Sequence, residues 1–388
     1  MSDPVIVGWA HTPFGKHEDK DAEALVAEVA RAAIEDAGLQ PADIDGVFVG
    51  MFNNGMGKQD FPSSLVLQSV PELRFKPMAR CENACASGSA AIHAGRNFIR
   101  ASSGRTVLVI GVEKMTGGST QSVGDALLGA SYRREEEEVP AGFAGVFARM
   151  ADAYFQRYGD QSEALAHIAA KNHRNGVDNP YAQMRKDLGY EFCNTVSEKN
   201  PIVAGPLRRT DCSPISDGAA AIVMTTGDDA ARFRRAVRFR AAIHVNDHMP
   251  LSKRDLYRLE GASEAWNRAL GAANLDISDL SFVEVHDCFT IAELLAYEAM
   301  GLTAPGKGAH AVFEGWTTAG DRLPVNRSGG LKAKGHPVGA TGVSMHVLSA
   351  MQLVGEAGAL QLPHADLAGV FNMGGSGVAN YVSILEAV

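Results

Sequence analysis

Five side chains and one backbone turn carry the chemical content of this 388-residue chain. Cys85 opens the stretch Cys85-Ala-Ser-Gly-Ser-Ala-Ala-Ile-His93, in which small residues lead into an apolar helical pattern. A helix start offers unpaired N–H groups and a partial positive charge, which favours the thiolate that attacks carbonyls. The effect is small, roughly 0.3–1 kcal/mol, so a thiol there stays mostly protonated at neutral pH unless a base adjoins it. Taken alone, Cys85 reads as a small buried thiol packing a helix on a sheet, and free cysteine is among the most buried residue types. Three further motifs supply partners. Gly329-Gly-Leu-Lys-Ala-Lys-Gly-His336-Pro-Val-Gly-Ala-Thr-Gly342 poses an imidazole among glycines, and it is neither a P-loop nor a GxGxxG turn. Val283-Glu-Val-His286-Asp-Cys288-Phe289 ends an apolar strand with His, Asp and Cys, at the edge where open α/β sheets place their chemistry. Val370-Phe-Asn372-Met-Gly374-Gly-Ser-Gly377 is a glycine-rich turn between apolar runs, in isolation a simple hairpin.

The elements that position these residues alternate. Strands are expected near Pro4–Trp9, Asp43–Phe52, Thr106–Val112 and Ile215–Thr225. Helices are expected over Asp21–Ala37, within Pro62–Val70, and from the Cys85 turn to about Arg100. Alternating β and α predicts an α/β fold with a parallel or mixed sheet between helices. From about Thr116 to Gly205 the rhythm breaks into an inserted region, where the acidic run Glu135–Glu138 reads as solvated surface.

The second half repeats the first. Ala37-Gly-Leu-Gln-Pro-Ala-Asp-Ile-Asp-Gly-Val-Phe-Val-Gly50 aligns with Ala273-Asn-Leu-Asp-Ile-Ser-Asp-Leu-Ser-Phe-Val-Glu-Val-His286 at one constant spacing, matching Leu39 with Leu275, Asp43 with Asp279 and Val47 with Val283. A shorter echo sets Cys85 against His336, each three residues before a glycine at the start of an apolar helix. Two halves packed about a pseudo-two-fold would bring Cys85 and His336 into one central cleft.

Composition bounds the function. A net charge of -9 disfavours a basic nucleic-acid face. Five sparse cysteines with no CxxC pair argue against a disulfide framework or structural zinc and fit a reducing compartment. No signal-peptide pattern opens the chain, no apolar run reaches membrane-spanning length, and Leu385-Glu-Ala-Val388 is not a peroxisomal address, so a cytoplasmic protein is expected. Cys81, Cys193 and Cys212 read as packing residues. Arg208-Arg209 and the arginines from Arg232 to Arg240 could meet phosphates, with solvated surface the better reading for most. Ser216 reads as structural, and Tyr181 and Met150 are candidates for an acyl pocket.

Together the four motifs, with Gly111-Val-Glu-Lys-Met115, Lys171-Asn-His-Arg-Asn-Gly and Ser216-Asp-Gly-Ala-Ala220, resemble the thiolase superfamily, and more closely its sterol-carrier-protein-2 type, over essentially the whole chain. The resemblance implies a five-layered αβαβα thiolase fold of two similar halves. Residues 1–115 and 206–234 would form the N-terminal half, 116–205 an inserted loop domain and 235–388 the C-terminal half. It implies an acyltransferase that forms or cleaves 3-ketoacyl-CoA, with acyl-CoA and CoA as substrates, no cofactor and no metal. A homodimer or homotetramer is implied, with a small OB-fold or zinc-ribbon protein as a possible partner. Cys85 resembles the nucleophile and His336 its base. Many thiolases carry Asn-Glu-Ala-Phe where this chain has His286-Asp-Cys-Phe289, and a second cysteine where Asn372 stands. By resemblance Cys288 then takes the acid/base role. His286 and His336 would hold the enolate oxygen, and the N–H groups of Cys85 and Gly374 a second oxyanion. Two alternatives stay open at this point: acyl transfer to a non-CoA acceptor, and a non-catalytic scaffold.

Overall fold

A computed structural model describes residues 3–388. The first half runs β1 (Val5–His11), α1 (Ala22–Asp36), β2 (Gly46–Gly50), α2 (Pro62–Ser69), β3 (Met78–Cys81), α3 (Ser87–Arg100) and β4 (Thr106–Glu113). The chain then leaves the sheet through α4 (Thr120–Leu128), α5 (Arg133–Glu136), α6 (Phe143–Tyr158), α7 (Ser162–Val177), α8 (Gly189–Asn194) and a small hairpin, β5 (Ile202–Ala204) and β6 (Leu207–Arg208). It rejoins the sheet at β7 (Gly218–Thr225). The second half contains β8 (Val237–Asn246), α9 (Glu260–Ala273), β9 (Phe282–Val285), α10 (Thr290–Ala299), α11 (Gly308–Phe313), α12 (Gly330–Lys334), α13 (Val338–Leu353), β10 (Leu367–Gly374) and β11 (Ala379–Ala387).

Local sequence explains the elements. In α1 the side chain of Asp21 accepts the Ala24 N–H at 2.9 Å as a cap, and Leu25, Val26, Val29, Ala33 and Ile34 form its buried stripe. Strands β4 and β7 are buried at every residue, which their continuous apolar runs anticipate.

The duplication is visible in three dimensions. Strand order is β3-β2-β4-β7-β1-β8-β11-β10-β9. In one half β2 pairs parallel with β4, which pairs antiparallel with β7; in the other β9 pairs parallel with β10, which pairs antiparallel with β11. The turn before β2 is closed by Asp43 accepting the Gln40 N–H at 2.8 Å, and the turn before β9 by Asp279 accepting the Asp276 N–H at 2.7 Å. The halves join where Val5 and Ile6 pair with Arg238 and Val237.

Five layers result. Helices α1 and α2 cover one outer face, and α9 with α10 beside it covers the other. Between the two sets of strands lie α3 and α13, packed on each other. They touch through glycine: a Cβ on Gly88 would lie 2.7 Å from the Gly339 carbonyl oxygen, and one on Gly342 2.4 Å from the Ser89 nitrogen. Of the glycines in the His336 motif, Gly342 thus serves the backbone-to-backbone helix contact, while Gly339 lets α13 approach the ends of β2 and β4.

Several expectations need correction. The acidic run is not wholly solvated, because Glu136 is buried and accepts the N–H groups of Tyr132 and Leu251 at 3.1 and 2.9 Å. Two arginines read as surface are structural. Buried Arg208 bonds Asp211 at 2.9 Å, and Arg235 lies 3.6 Å over the Trp9 ring while pairing with Asp36 and Glu356. Met150 is a core residue of α6 and Tyr181 packs on the His11 ring at 4.5 Å, and neither lines the cavity at Cys85. Among the described residues no helix is long and apolar enough to cross a membrane.

Candidate active site

Cys85 sits two residues before α3, and His336 two residues before α13. The two central helix starts thus hold matching positions in the two halves, and the packing of α3 on α13 brings both residues to one place. His286 and Cys288 follow the end of β9, and Asn372 lies near the end of adjacent β10. One donor atom each from Cys85, His286 and His336 falls within 4.8 Å of the others, all three residues being buried. The two imidazoles meet edge to face, centroids 5.0 Å apart at 86°. Cys85, Cys288 and His336 all line one cavity of about 290 Å³. Its remaining wall is mostly apolar, including Leu127, Phe143, Val203, Ile215 and Phe289, and no charged side chain lines it.

The turn that presents Cys85 is strained, since Ala84 has φ of +49°, a region costly for a residue with a Cβ. Asn83 closes it by donating its backbone N–H to Ser87 Oγ at 2.9 Å and its amide to Tyr381 O–H at 2.9 Å. Gly374 abuts this turn, and a Cβ there would lie 2.2 Å from the Asn83 carbonyl oxygen. The next N–H along, that of Gly375, faces the Cys85 sulfur.

Electrostatics give a neutral resting site. Burial pushes the Cys85 thiol up to about 12, against the opposing pull of the Gly375 N–H. The helix start pulls the other way, but desolvation overwhelms it. Burial drives His336 down to about 3, with the Lys334 cation contributing. Burial, then His336 and Lys334, hold His286 well below its ordinary value. Cys288 is raised well above its ordinary value by burial and by proximity to Cys85.

Proton positions follow from fixed partners. The Thr341 hydroxyl donates to the Pro337 carbonyl at 2.9 Å, so its lone pair accepts the N–H of His336 Nδ1 at 2.7 Å. His336 Nε2 is therefore the bare nitrogen of a neutral ring, an acceptor with no partner among the described residues. His286 Nδ1 lies 3.0 Å from the Asn372 amide nitrogen, which donates to it.

A second tier of buried groups holds the motifs, and most escaped sequence reading. Glu113, at the end of β4, accepts the N–H groups of Phe52, Asn53 and Gly339 at 2.9, 2.9 and 3.0 Å. It ties α13 to the first half, and burial pushes it up to about 7. A lone acid closing a buried apolar strand was the available signal. Asp287 accepts the Leu331 and Lys332 N–H groups at the start of α12, at 2.6 and 3.1 Å. The Ser216 hydroxyl accepts the His336 N–H at 3.0 Å, which makes the structural reading of Ser216 specific. Cys212, read as packing, lines the cavity beside Cys288.

The fold and this site define a class. The family description "Thiolase, N-terminal domain" matches residues 4–228, and "Thiolase C-terminal domain-like" matches 244–387. The chain belongs to the thiolase family. It is 36% identical over 389 residues to an acetyl-CoA acetyltransferase of Methanothermobacter thermautotrophicus, covering 100% of both chains. It is 31% identical to human sterol carrier protein 2, over 95% of this chain and 69% of that one. Among solved structures, "Ltp2-ChsH2(DUF35) aldolase" shares the fold at TM-score 0.84 and 21% identity over 99% of this chain and 98% of that one. The acetyl-CoA acetyltransferase of Syntrophomonas wolfei shares it at TM-score 0.74 and 18% identity, over 100% and 99%.

Proposed function

We propose that this transferase of the thiolase family is an acyl-CoA C-acyltransferase that forms or cleaves 3-ketoacyl-CoA through an acyl-Cys85 intermediate. The observation that carries the reading is the buried meeting of Cys85, His286 and His336, with Cys85 and His336 lining an apolar cavity together with Cys288. The uncharged cavity suits the neutral thioester end of an acyl-CoA and leaves the phosphates outside.

In the cleavage direction the Cys85 thiol gives its proton to His336 Nε2, and the sulfur attacks the 3-keto carbon. The C2–C3 bond breaks, and the electron pair rests on the enolate of the departing acyl-CoA. His286 and His336 donate to the enolate oxygen, while backbone N–H groups at Cys85 and Gly374 receive the tetrahedral oxyanion. Carbon C2 takes the proton of Cys288, whose raised pKa keeps it stocked as a thiol. The Cys288 thiolate then takes the proton of an incoming CoA thiol, the CoA sulfur attacks acyl-Cys85, and Cys85 leaves with the proton held by His336. Every group returns to its starting state, and synthesis is the reverse. No metal is required: although one sulfur and two ring nitrogens converge, the hydrogen-bonded state of His286 opposes metal binding at its Nε2.

Mass spectrometry after incubation with acetyl-CoA tests this reading, with the adduct expected on Cys85 and acetyl-CoA released from acetoacetyl-CoA plus CoA. No adduct, together with no turnover on short or long ketoacyl-CoA, would leave only the scaffold reading. A second reading keeps acyl-Cys85 but passes the acyl group to a non-CoA acceptor with a small partner. The aldolase neighbour, named together with a DUF35 protein, favours testing it by co-purification. A homodimer or homotetramer, a cytoplasmic location and a place in lipid metabolism belong to the same proposal, the first checked by light scattering.

A further inference from the structure

We infer that Asn372 is a positioning residue that fixes His286 with its hydrogen on Nε2, so that this imidazole can only donate into the site. The inference rests on the acyltransferase reading and adds a residue to it. The amide has two hydrogens and both are committed. One is donated to the Cys85 carbonyl at 3.2 Å and the other to His286 Nδ1 at 3.0 Å, while Asn372 Oδ1 accepts the Ser89 hydroxyl at 2.8 Å. The amide cannot be turned over, because the Cys85 carbonyl only accepts and would then face another oxygen. With Nδ1 accepting, a neutral His286 has its single N–H on Nε2. That nitrogen is fully buried and has no partner among the described residues. A buried donor left unmatched is costly, so its retention marks a place reserved for an accepting oxygen.

The two histidines are therefore set in opposite senses. Thr341 makes His336 Nε2 an acceptor, and Asn372 makes His286 Nε2 a donor. Asn372 also joins the nucleophile's own carbonyl to the imidazole that must meet the substrate oxygen, tying α3, β9 and β10 together at the site. The ionisable groups around His286 are Cys85 before α3, Lys334 on α12, His336 before α13, and its chain neighbours Asp287 and Cys288.

Asn372→Asp replaces the amide by a carboxyl group of the same shape, which gives up the bond to the Cys85 carbonyl and changes the proton count beside His286. An Asp–His286 pair holding two protons still presents Nε2–H, whichever partner carries the second proton. After the pair loses one proton, the carboxylate draws the remaining hydrogen to Nδ1 and Nε2 is bare. Carbon–carbon bond activity of this variant should therefore fall as pH rises, through a titration absent from wild type. Imidazole ¹⁵N spectra of histidine-labelled protein, with His286→Asn to assign the resonance, should show the Nε2–H form of His286 persisting in wild type and giving way in the variant over the same range. Asn372→Leu frees the tautomer without deleting the donor. It should lose about tenfold in turnover at every pH, less than the roughly 10²–10³ lost with a whole oxyanion donor. A pH profile parallel to wild type in Asn372→Asp, with Cys85 still acylated, overturns the inference and leaves the acyltransferase reading standing. Absence of a Cys85 adduct in wild type overturns the reading itself. If the aspartate variant fails to fold, the wild-type spectrum decides alone, an Nδ1–H signal for His286 being the contrary result.

Discussion

His286 and His336 stand edge to face, ring centroids 5.0 Å apart, each with Nδ1 engaged by a neighbour and Nε2 left free. Two imidazoles this close cannot both be cations, and burial already holds both below their ordinary range. The resting site is a set of neutral groups in which charge develops only with substrate in place.

A first prediction concerns Cys85 without substrate. Its pKa is raised, so the thiolate fraction grows as pH rises toward about 12. The rate of Cys85 carbamidomethylation by iodoacetamide, followed by mass spectrometry, should climb steadily through the alkaline range. A plateau with a midpoint near neutrality would show a preformed thiolate–imidazolium pair and contradict the neutral resting state.

Removing the second thiol should separate the two halves of the reaction. Cys288→Ala is expected to retain the acyl adduct on Cys85 and to lose about 10²–10⁴ in ketoacyl-CoA turnover, the usual contribution of a positioned acid/base. Unimpaired turnover in this variant would assign the proton transfer elsewhere.

Glu113 makes stability depend on pH in a stated sense. Its pKa is raised from 4.5 to about 7 in the folded protein, so within that window the folded state keeps a proton that the unfolded chain has released. Its contribution to stability is present below pH 4.5 and is lost as pH rises to about 7. Glu113→Gln removes this titration, so thermal unfolding across the window should decline less steeply with pH than in wild type. The variant should also be less stable at low pH, because its amide N–H₂ now faces one of three backbone N–H donors. A Tm-against-pH slope equal to wild type would show that Glu113 does not titrate there.

The helix contact gives a fourth test. Gly88→Ala places a methyl 2.7 Å from the Gly339 carbonyl oxygen, so α3 and α13 must separate. A loss of about 1–3 kcal/mol is expected from overpacking, read by urea unfolding. Cys85 acylation should fall further than that loss of folded population accounts for, because Cys85 and His336 ride on the separated helices. Acylation that tracks the folded fraction alone would dissociate the contact from catalysis.

The parts of this protein legible in its sequence are those written locally or written twice. Leu39 with Leu275 and Asp43 with Asp279 exposed the repeat because the same helix, turn and strand must satisfy the same local rules in both halves. The structure returns those units with the same closing hydrogen bonds. Cys85, His336, His286 and Cys288 were legible because each sits in a short run of unusual composition. Asn372 was noticed as the place where a cysteine was missing, yet its bonds were not readable. Its partners, Cys85 and His286, lie in other parts of the chain, and an asparagine before glycines fits a hairpin equally well. Arg235 misled for a related reason: in an arginine-rich run nothing local distinguishes the one that lies over Trp9. Met150, on α6, and Tyr181, in the turn after α7, failed because which way a side chain of the inserted region faces depends on packing that local pattern alone does not fix.

The matched positions of Cys85 and His336 also bear on how the protein is made. The thiol emerges in the first half of the chain, while its base lies near the end of the second. Until the halves dock, Cys85 has no His336 beside it, and the apolar chamber has no His336 or Cys288 in its wall. On the acyltransferase reading proposed above, turnover therefore begins only once the two halves have docked.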